Sequence, residues 1–300
     1  MELVRGRDSF TTLRRWLFVL LLWGTGPVYA ASVGLMVDAI NEKAERFKEH
    51  LDQALPNDSV KLVSPEGVAG LNMDFWVSTS VSSLDALLSN KKSGRVLALF
   101  LNDNEAQALR NKYPSQFFTY LSNTPTLLRQ MALIKAMSPH VERIGLFYSR
   151  SQKKQADQAL NIAKTFGFEL LSAAVDDPLE WDRNALNVLK QSDIILGIDD
   201  PELYNPVTVR GILMRLYRSN RALVGPDKAF VKAGAVASVY SGVADTLKAA
   251  VGLIRDTGPW PAVFENPYYQ ISTNEQVARS LHISLDDENN LKKKVEGAGY

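Results

Sequence analysis

The side chains able to do chemistry are few and scattered in this sequence of 300 residues. It contains no cysteine, which removes disulfides, thiolate metal sites, cysteine nucleophiles and cysteine-linked lipid anchors together. The histidines, His50, His140 and His282, lie far apart. None belongs to an H-E-x-x-H pair, so a helical zinc site has no signature and no metal is expected. Neither G-x-x-x-x-G-K-[ST] nor G-x-G-x-x-G is present to cradle a phosphate-bearing cofactor, and no G-x-S-x-G elbow presents a serine nucleophile. No cofactor and no catalytic residue is therefore expected. What remains are paired carboxylates, Asp176-Asp177, Asp199-Asp200 and Asp286-Asp287. Adjacent acids on a loop commonly serve as turn and cap residues. Asp199-Asp200 stands apart because it ends a strongly apolar stretch, SDIILGID, and precedes a helix-start signal at Asn205-Pro206.

The elements that must position these residues alternate along the chain. Val33 to Val37 is a short apolar run, and behind it Ile40, Ala44, Phe47, Leu51 and Leu55 recur at spacings of four and three, the stripe of an amphipathic helix. Strands are expected at 59–64, 73–80, 95–102 and 116–122, with a helix ending near Gly94 between the second and third of these. Thr124-Pro125 opens a helix through Met137, since proline suits a first helical turn. Beyond it, 143–149, 168–175, 192–199, 222–227 and 235–240 read as strands. Helices separate them, one stopping at Gly167, one from about Leu179 to Lys190, one ending near Ser219, and a last one follows over ADTLKAAVGLIRD. Apolar strands joined by amphipathic helices imply parallel sheets covered on both faces. The class is α/β. About eleven strands are too many for one comfortable open sheet, so two lobes are expected, with a seam near Ser138-Pro139.

Ligands of such sheets bind outside the carboxyl ends of the strands. That rule gathers Thr79, Asp103, Thr124, Tyr148, Asp199, Asp227 and Tyr240, with serines beside several of them. Hydroxyls, carboxylates and aromatics of this kind can clasp a small polar or zwitterionic solute without activating any bond. The bland alternative is that strand ends are polar because they meet water.

The N-terminal residues have the form of an export signal. Arg5, Arg7, Arg14 and Arg15 precede the apolar run Trp16 to Trp23, then a breaker-rich GTGPVYA with Val28 and Ala30 at the −3 and −1 positions of a cleavage before Ala31. Eight apolar residues rise only about 12 Å as a helix, against about 30 Å of bilayer hydrocarbon. Cleavage would turn the net charge of +1 into −1, because residues 1–30 carry four basic and two acidic side chains. A near-neutral exported chain has no electrostatic footprint for nucleic acid, and a periplasmic location without a lipid tether is expected.

The stretch from Ser122-Asn123-Thr124-Pro125 through RQMALIKAMSPHVERIGLFYS, SDIILGIDDPELYN and RALVGPDKAFVKAGAVASVYS resembles the ABC-transporter substrate-binding proteins of the periplasmic binding protein type I superfamily, in particular the subgroup with tryptophan and tyrosine binders. The resemblance rests on Met137-Ser-Pro139 before Ile144-Gly145, on Asp199 ending a strand before a helix, and on Val231-Lys-Ala-Gly234-Ala-Val-Ala237. It covers roughly residues 116–285. The first lobe departs from the family pattern, with Ser78-Thr79-Ser80 and Asn102-Asp103-Asn104 at its turns and PEGVAGLN where a second helix is usual.

The resemblance implies two Rossmann-like lobes with parallel sheets, joined by a hinge and closing on a small-molecule solute for a membrane permease. The expected division is 31–139 for the first lobe, completed by part of 243–270, then 140–242 for the second, with 271–300 a helical segment and tail. Thr79, Asp103, Thr124 and Asp199 are the best-matched contact positions. Two other readings differ in class: a degenerate binding fold serving as sensor or scaffold partner of a membrane protein, and an exported enzyme using Asp199-Asp200, which lacks recognisable partners for acid–base work.

Overall fold

The computed structural model of the protein describes residues 30–178 and 181–298. The expected export segment, except Ala30, and the expected helix start at Leu179 lie outside the described residues. Ala31 lies just before the first strand, its N–H donating to Asp58 Oδ1 at 2.9 Å.

The first sheet is built from β1 (Ser32–Met36), β2 (Ser59–Val63), β3 (Phe75–Ser78), β4 (Arg95–Ala98), β5 (Thr119–Ser122) and β11 (Val263–Glu265). Its spatial order is β11-β5-β4-β3-β1-β2, parallel throughout. Successive side chains of a strand leave on opposite faces. Accordingly Val33 and Leu35 of β1, with Val37 just beyond it, pack under α1 (Glu42–Ala54) and α9 (Val243–Arg255), while Met36 packs on the other face with Trp76, Leu84 and Leu109, the last two from α2 (Val81–Ser89) and α3 (Asp103–Lys112). Gly34 leaves on that second face, where a Cβ would come within 2.5 Å of the Trp76 ring, so the indole needs the glycine.

The second sheet repeats the plan with β6 (Arg143–Tyr148), β7 (Glu169–Ala174), β8 (Ile194–Leu196), β9 (Ala222–Gly225), β10 (Ala237–Tyr240) and β12 (Gln270–Thr273) in the order β12-β10-β9-β8-β6-β7. Only β12 runs antiparallel. One face carries α4 (Leu127–Met137), α5 (Lys153–Thr165), α10 (Glu275–Ser280) and α11 (Glu288–Gly297); the other carries α6 (Arg183–Gln191), α7 (Val209–Arg218) and α8 (Lys228–Ala233). The α/β class and the two Rossmann-like lobes with mostly parallel sheets are thus as the alternation implies.

The seam differs from the expected Ser138-Pro139. Helix α4 buries Leu127, Met131, Leu133, Ile134 and Met137 in the cluster of the second sheet with Ile144, Leu146 and Val239, so the chain has already changed lobes before Leu127. It changes twice more, at Ser241-Gly242 between β10 and α9 and at Asn266 to Tyr269 between β11 and β12. The three crossings are tied to one another. Asn123 Oδ1, in the first, accepts from Thr246 Oγ1 at 3.1 Å and from Asn266 Nδ2 at 2.8 Å. Ser241 Oγ donates to Tyr268 O at 2.8 Å, and Arg129 Nη1 donates to Asn266 O at 2.7 Å. Where the family has a second helix, Pro65–Gly67 forms a single 3₁₀ turn.

Candidate functional site

In both sheets the strand order reverses beside the first strand, and the loops at the carboxyl ends open onto the space between the lobes. A cleft of about 600 Å³ lies there, lined by the loops after β4, β5, β8, β9 and β10. Thr124, Asp199, Asp227 and Tyr240 all line it. Thr124 comes from the first crossing and Asp199 from the end of β8, and their side chains meet at 3.4 Å, Oγ1 donating to Oδ2. Asp227 caps α8, accepting from the N–H groups of Ala229 at 2.6 Å and Phe230 at 3.3 Å. Tyr240 is held by Lys228, whose Nζ lies 3.1 Å from the phenol oxygen and 5.0 Å from the ring centre.

The adjacent acids Asp199 and Asp200 have opposite surroundings. Asp200 is 1% exposed and ties two strand ends together. Its Oδ2 accepts from Ser149 N at 2.6 Å, and its Oδ1 accepts from Ser149 Oγ at 2.9 Å and Leu203 N at 3.3 Å. Asp199 instead faces the cleft. Burial, chiefly, holds its pKa above the ordinary carboxylate value; the Thr124 hydrogen bond opposes this, and the carboxylates of Asp103, Asp227 and Asp200 add to it. The pair is therefore one structural and one cleft-facing carboxylate, an arrangement a sequence reading of two adjacent acids does not separate.

The other three expected positions lie elsewhere. Thr79 lines a neighbouring recess of about 500 Å³ on the first lobe, with Val37, Phe47 and Phe100, and its Oγ1 donates to Met36 O at 3.3 Å. Asp103, the first residue of α3, borders a third recess of about 460 Å³, which adjoins the cleft through Thr124 and Pro125. Tyr148 is buried in the core cluster around α4 and lines neither the cleft nor these recesses.

Strand-end reasoning passed over two residues that line the cleft, Phe100 and Glu105, and a third, Tyr120, buried in the core behind it. Phe100 lines both the cleft and the first-lobe recess, is 43% exposed, and has φ 58°. A bulky residue in the left-handed region is uncommon and stores strain. Glu105 lines the cleft while its Oε2 accepts from Asn102 N at 2.9 Å in a capping box. Tyr120 is 1% exposed, and its hydroxyl has no hydrogen-bond partner at normal distance. Burial pushes the phenol up to about 12, with Ser122 opposing and the charges of Asp103 and Asp199 adding to the rise. The hidden signal for Phe100 is the unbroken apolar run VLALFL, which masks the end of β4.

The comparisons fit this geometry. Residues 106–250 match the family described as ABC transporter substrate binding protein. That stretch is similar to the ABC substrate-binding proteins. No curated protein matches the chain. Among solved structures, a ligand-free, open substrate-binding protein with adhesive properties from Clostridium difficile aligns with a TM-score of 0.65 and 15% identity, over 87% of this chain and 98% of that one. A conserved domain protein from Vibrio cholerae O1 biovar El Tor aligns at 0.52 and 18% identity, over 88% and 98%. An ABC domain in complex with L-Trp from Streptococcus pneumonia aligns at 0.51 and 20% identity, also over 88% and 98%. At these identities the likenesses show the fold alone. Among the described residues, no helix is long and apolar enough to cross a membrane and no group of three or more acidic or histidine side chains is placed to hold a metal.

Proposed function

We propose that this protein is the solute-capturing component of an ABC-type importer, exported by its N-terminal segment with cleavage after Ala30 and working in the periplasm. It takes up a small polar or amino-acid-like solute between its lobes, performs no chemistry on it, and delivers it in the closed form to a membrane permease. The observation that carries this reading is the meeting of Thr124 and Asp199, from different lobes' strand ends, inside the 600 Å³ cleft. Closure is a population shift driven by contacts a solute makes with both lobes at once. Thr124, Asp199, Asp227 and Tyr240 are the contacts of the cleft. Thr79 and Asp103 serve through the adjoining recesses.

A thermal-shift screen of the protein against amino acids, amines, sugars and nucleosides tests it. A solute at one hundred times its Kd stabilises by about 2.7 kcal/mol. The stabilisation should vanish in Asp199→Ala and Thr124→Ala variants. A hit that both variants retain in full would place the site elsewhere, and measurable turnover of any solute would contradict the binding role.

A further inference from the structure

We propose that the solute is an organic cation, an ammonium compound without a balancing carboxylate, whose apolar part lies against Phe100. This rests on the solute-capture reading and names the chemistry the cleft selects. Charge is the first observation. The charged side chains lining the cleft are Glu105, Asp199 and Asp227, and those lining the recess behind Thr124-Pro125 are Asp103 and Glu265. Among the described residues that line either cavity there is no lysine and no arginine. Lys228 does not line the cleft, and its Nζ is engaged by the Tyr240 phenol at 3.1 Å. A solute carboxylate would face these acids with only neutral donors to hold it, whereas an ammonium group meets complementary charge from several directions.

The second observation is the Tyr120 hydroxyl, buried and unpartnered. Tyr120 and Ser122 are two apart on β5 and so project to one face of the sheet, and Ser122 lines the recess that Asp103 borders. The phenol thus lies behind the acidic recess, beside Ser122 and the Asp103 carboxylate, where its oxygen can accept from an ammonium N–H. Buried polar atoms are rarely left unpaired, and a bound cation supplies the missing partner.

The third observation concerns the rest of the solute. Phe100 and Val243 line both the cleft and the first-lobe recess, making the two continuous. The recess is walled by Val37, Ala44 and Phe47, and Phe47 meets Phe100 edge-on with centroids 6.0 Å apart. Asp38, Lys43 and Arg46 are the charged side chains of this recess, Arg46 being held by Glu42. Phe100 and Tyr240 also offer ring faces to a cation. The left-handed backbone of Phe100 places the ring at the junction of the polar and apolar parts.

The test uses four probes that share a ring and differ in charge: 2-phenylethylammonium, L-phenylalanine, 3-phenylpropanoate and 2-phenylethanol, with glucose and adenosine as other classes. Titration calorimetry at low salt should show the ammonium binding about tenfold or more tighter than the other three, with affinity falling as salt rises. Asp199→Asn should weaken the ammonium about tenfold and leave 2-phenylethanol unchanged, its melting temperature confirming the fold. Equal or tighter binding of the zwitterion, the anion, glucose or adenosine overturns the cation inference while leaving solute capture intact. Absence of binding across all six overturns both.

Discussion

Replacing Asp200 should unfold the second lobe far more readily than replacing Asp199, although the two are adjacent in sequence and identical in chemistry. Asp200→Ala leaves the buried N–H of Ser149 without the acceptor it has at 2.6 Å, while Leu203 N keeps the carbonyl oxygen of residue 200 at 3.1 Å. A stranded buried donor costs about 1–3 kcal/mol, a sizeable share of the 5–15 kcal/mol typical of a folded protein. Asp200→Asn should recover little, because one carboxylate oxygen becomes an amide nitrogen that faces a donor. Asp199→Ala removes one bond of 3.4 Å, near the limit of useful geometry, and relieves a desolvated charge facing other carboxylates. Its effect should lie within roughly 0.5 kcal/mol of zero, the range of substitutions away from such networks. Urea denaturation followed by fluorescence, read at equal m-value, measures the difference. If Asp199→Ala costs as much as Asp200→Ala, or if Asp200→Ala costs less than about 1 kcal/mol, the division of labour between the two acids is wrong.

Other outcomes follow from the same geometry. Because the folded-state pKa of Asp199 is raised above the ordinary carboxylate value, its contribution opposes folding once pH exceeds the raised value and disappears below the ordinary one; Asp199→Asn should therefore stabilise at neutral pH and be neutral in acid, as melting temperatures across pH will show. Tyr120→Phe removes an unpartnered buried hydroxyl and should raise unliganded stability by about 1 kcal/mol while weakening any cationic solute, seen by denaturation and calorimetry together. Asn123→Ala removes the acceptor shared by Thr246 and Asn266, so small-angle scattering should report a broader spread of lobe separations. Gly34→Ala drives a methyl to 2.5 Å from the Trp76 ring and should cost about 1–3 kcal/mol by overpacking, measured by thermal melting.

Much of the framework was legible because buried parallel strands read as plain apolar runs, as in RVLALF and SDIILG. Strand β11 was not, since Val263 and Glu265 are exposed and only Phe264 is half-buried, the pattern of an edge strand between prolines. The ownership of α4 was also hidden. Its register shows a helix, but Leu127, Met131, Leu133, Ile134 and Met137 are buried on several sides, and a sequence does not say which sheet covers them. At the site, the strand-end rule found Thr124, Asp199, Asp227 and Tyr240 because it depends only on where an apolar run stops. It misplaced Tyr148, whose direction depends on the alternation of β6, and missed Phe100, whose direction depends on one backbone angle.

The three crossings also constrain how the molecule comes into being. Strand β5 of the first sheet is completed by β11, and Thr119 Oγ1 donates to Pro261 O 142 residues further on. The first lobe therefore cannot close its sheet until nearly the whole polypeptide is available, and α9, which covers its face, comes only after β10 of the other lobe. Neither lobe is a contiguous stretch that could be expressed alone. Under the export proposed above, this order would suit passage across a membrane before folding, because the early segments have no finished domain to settle into while the end is still being made.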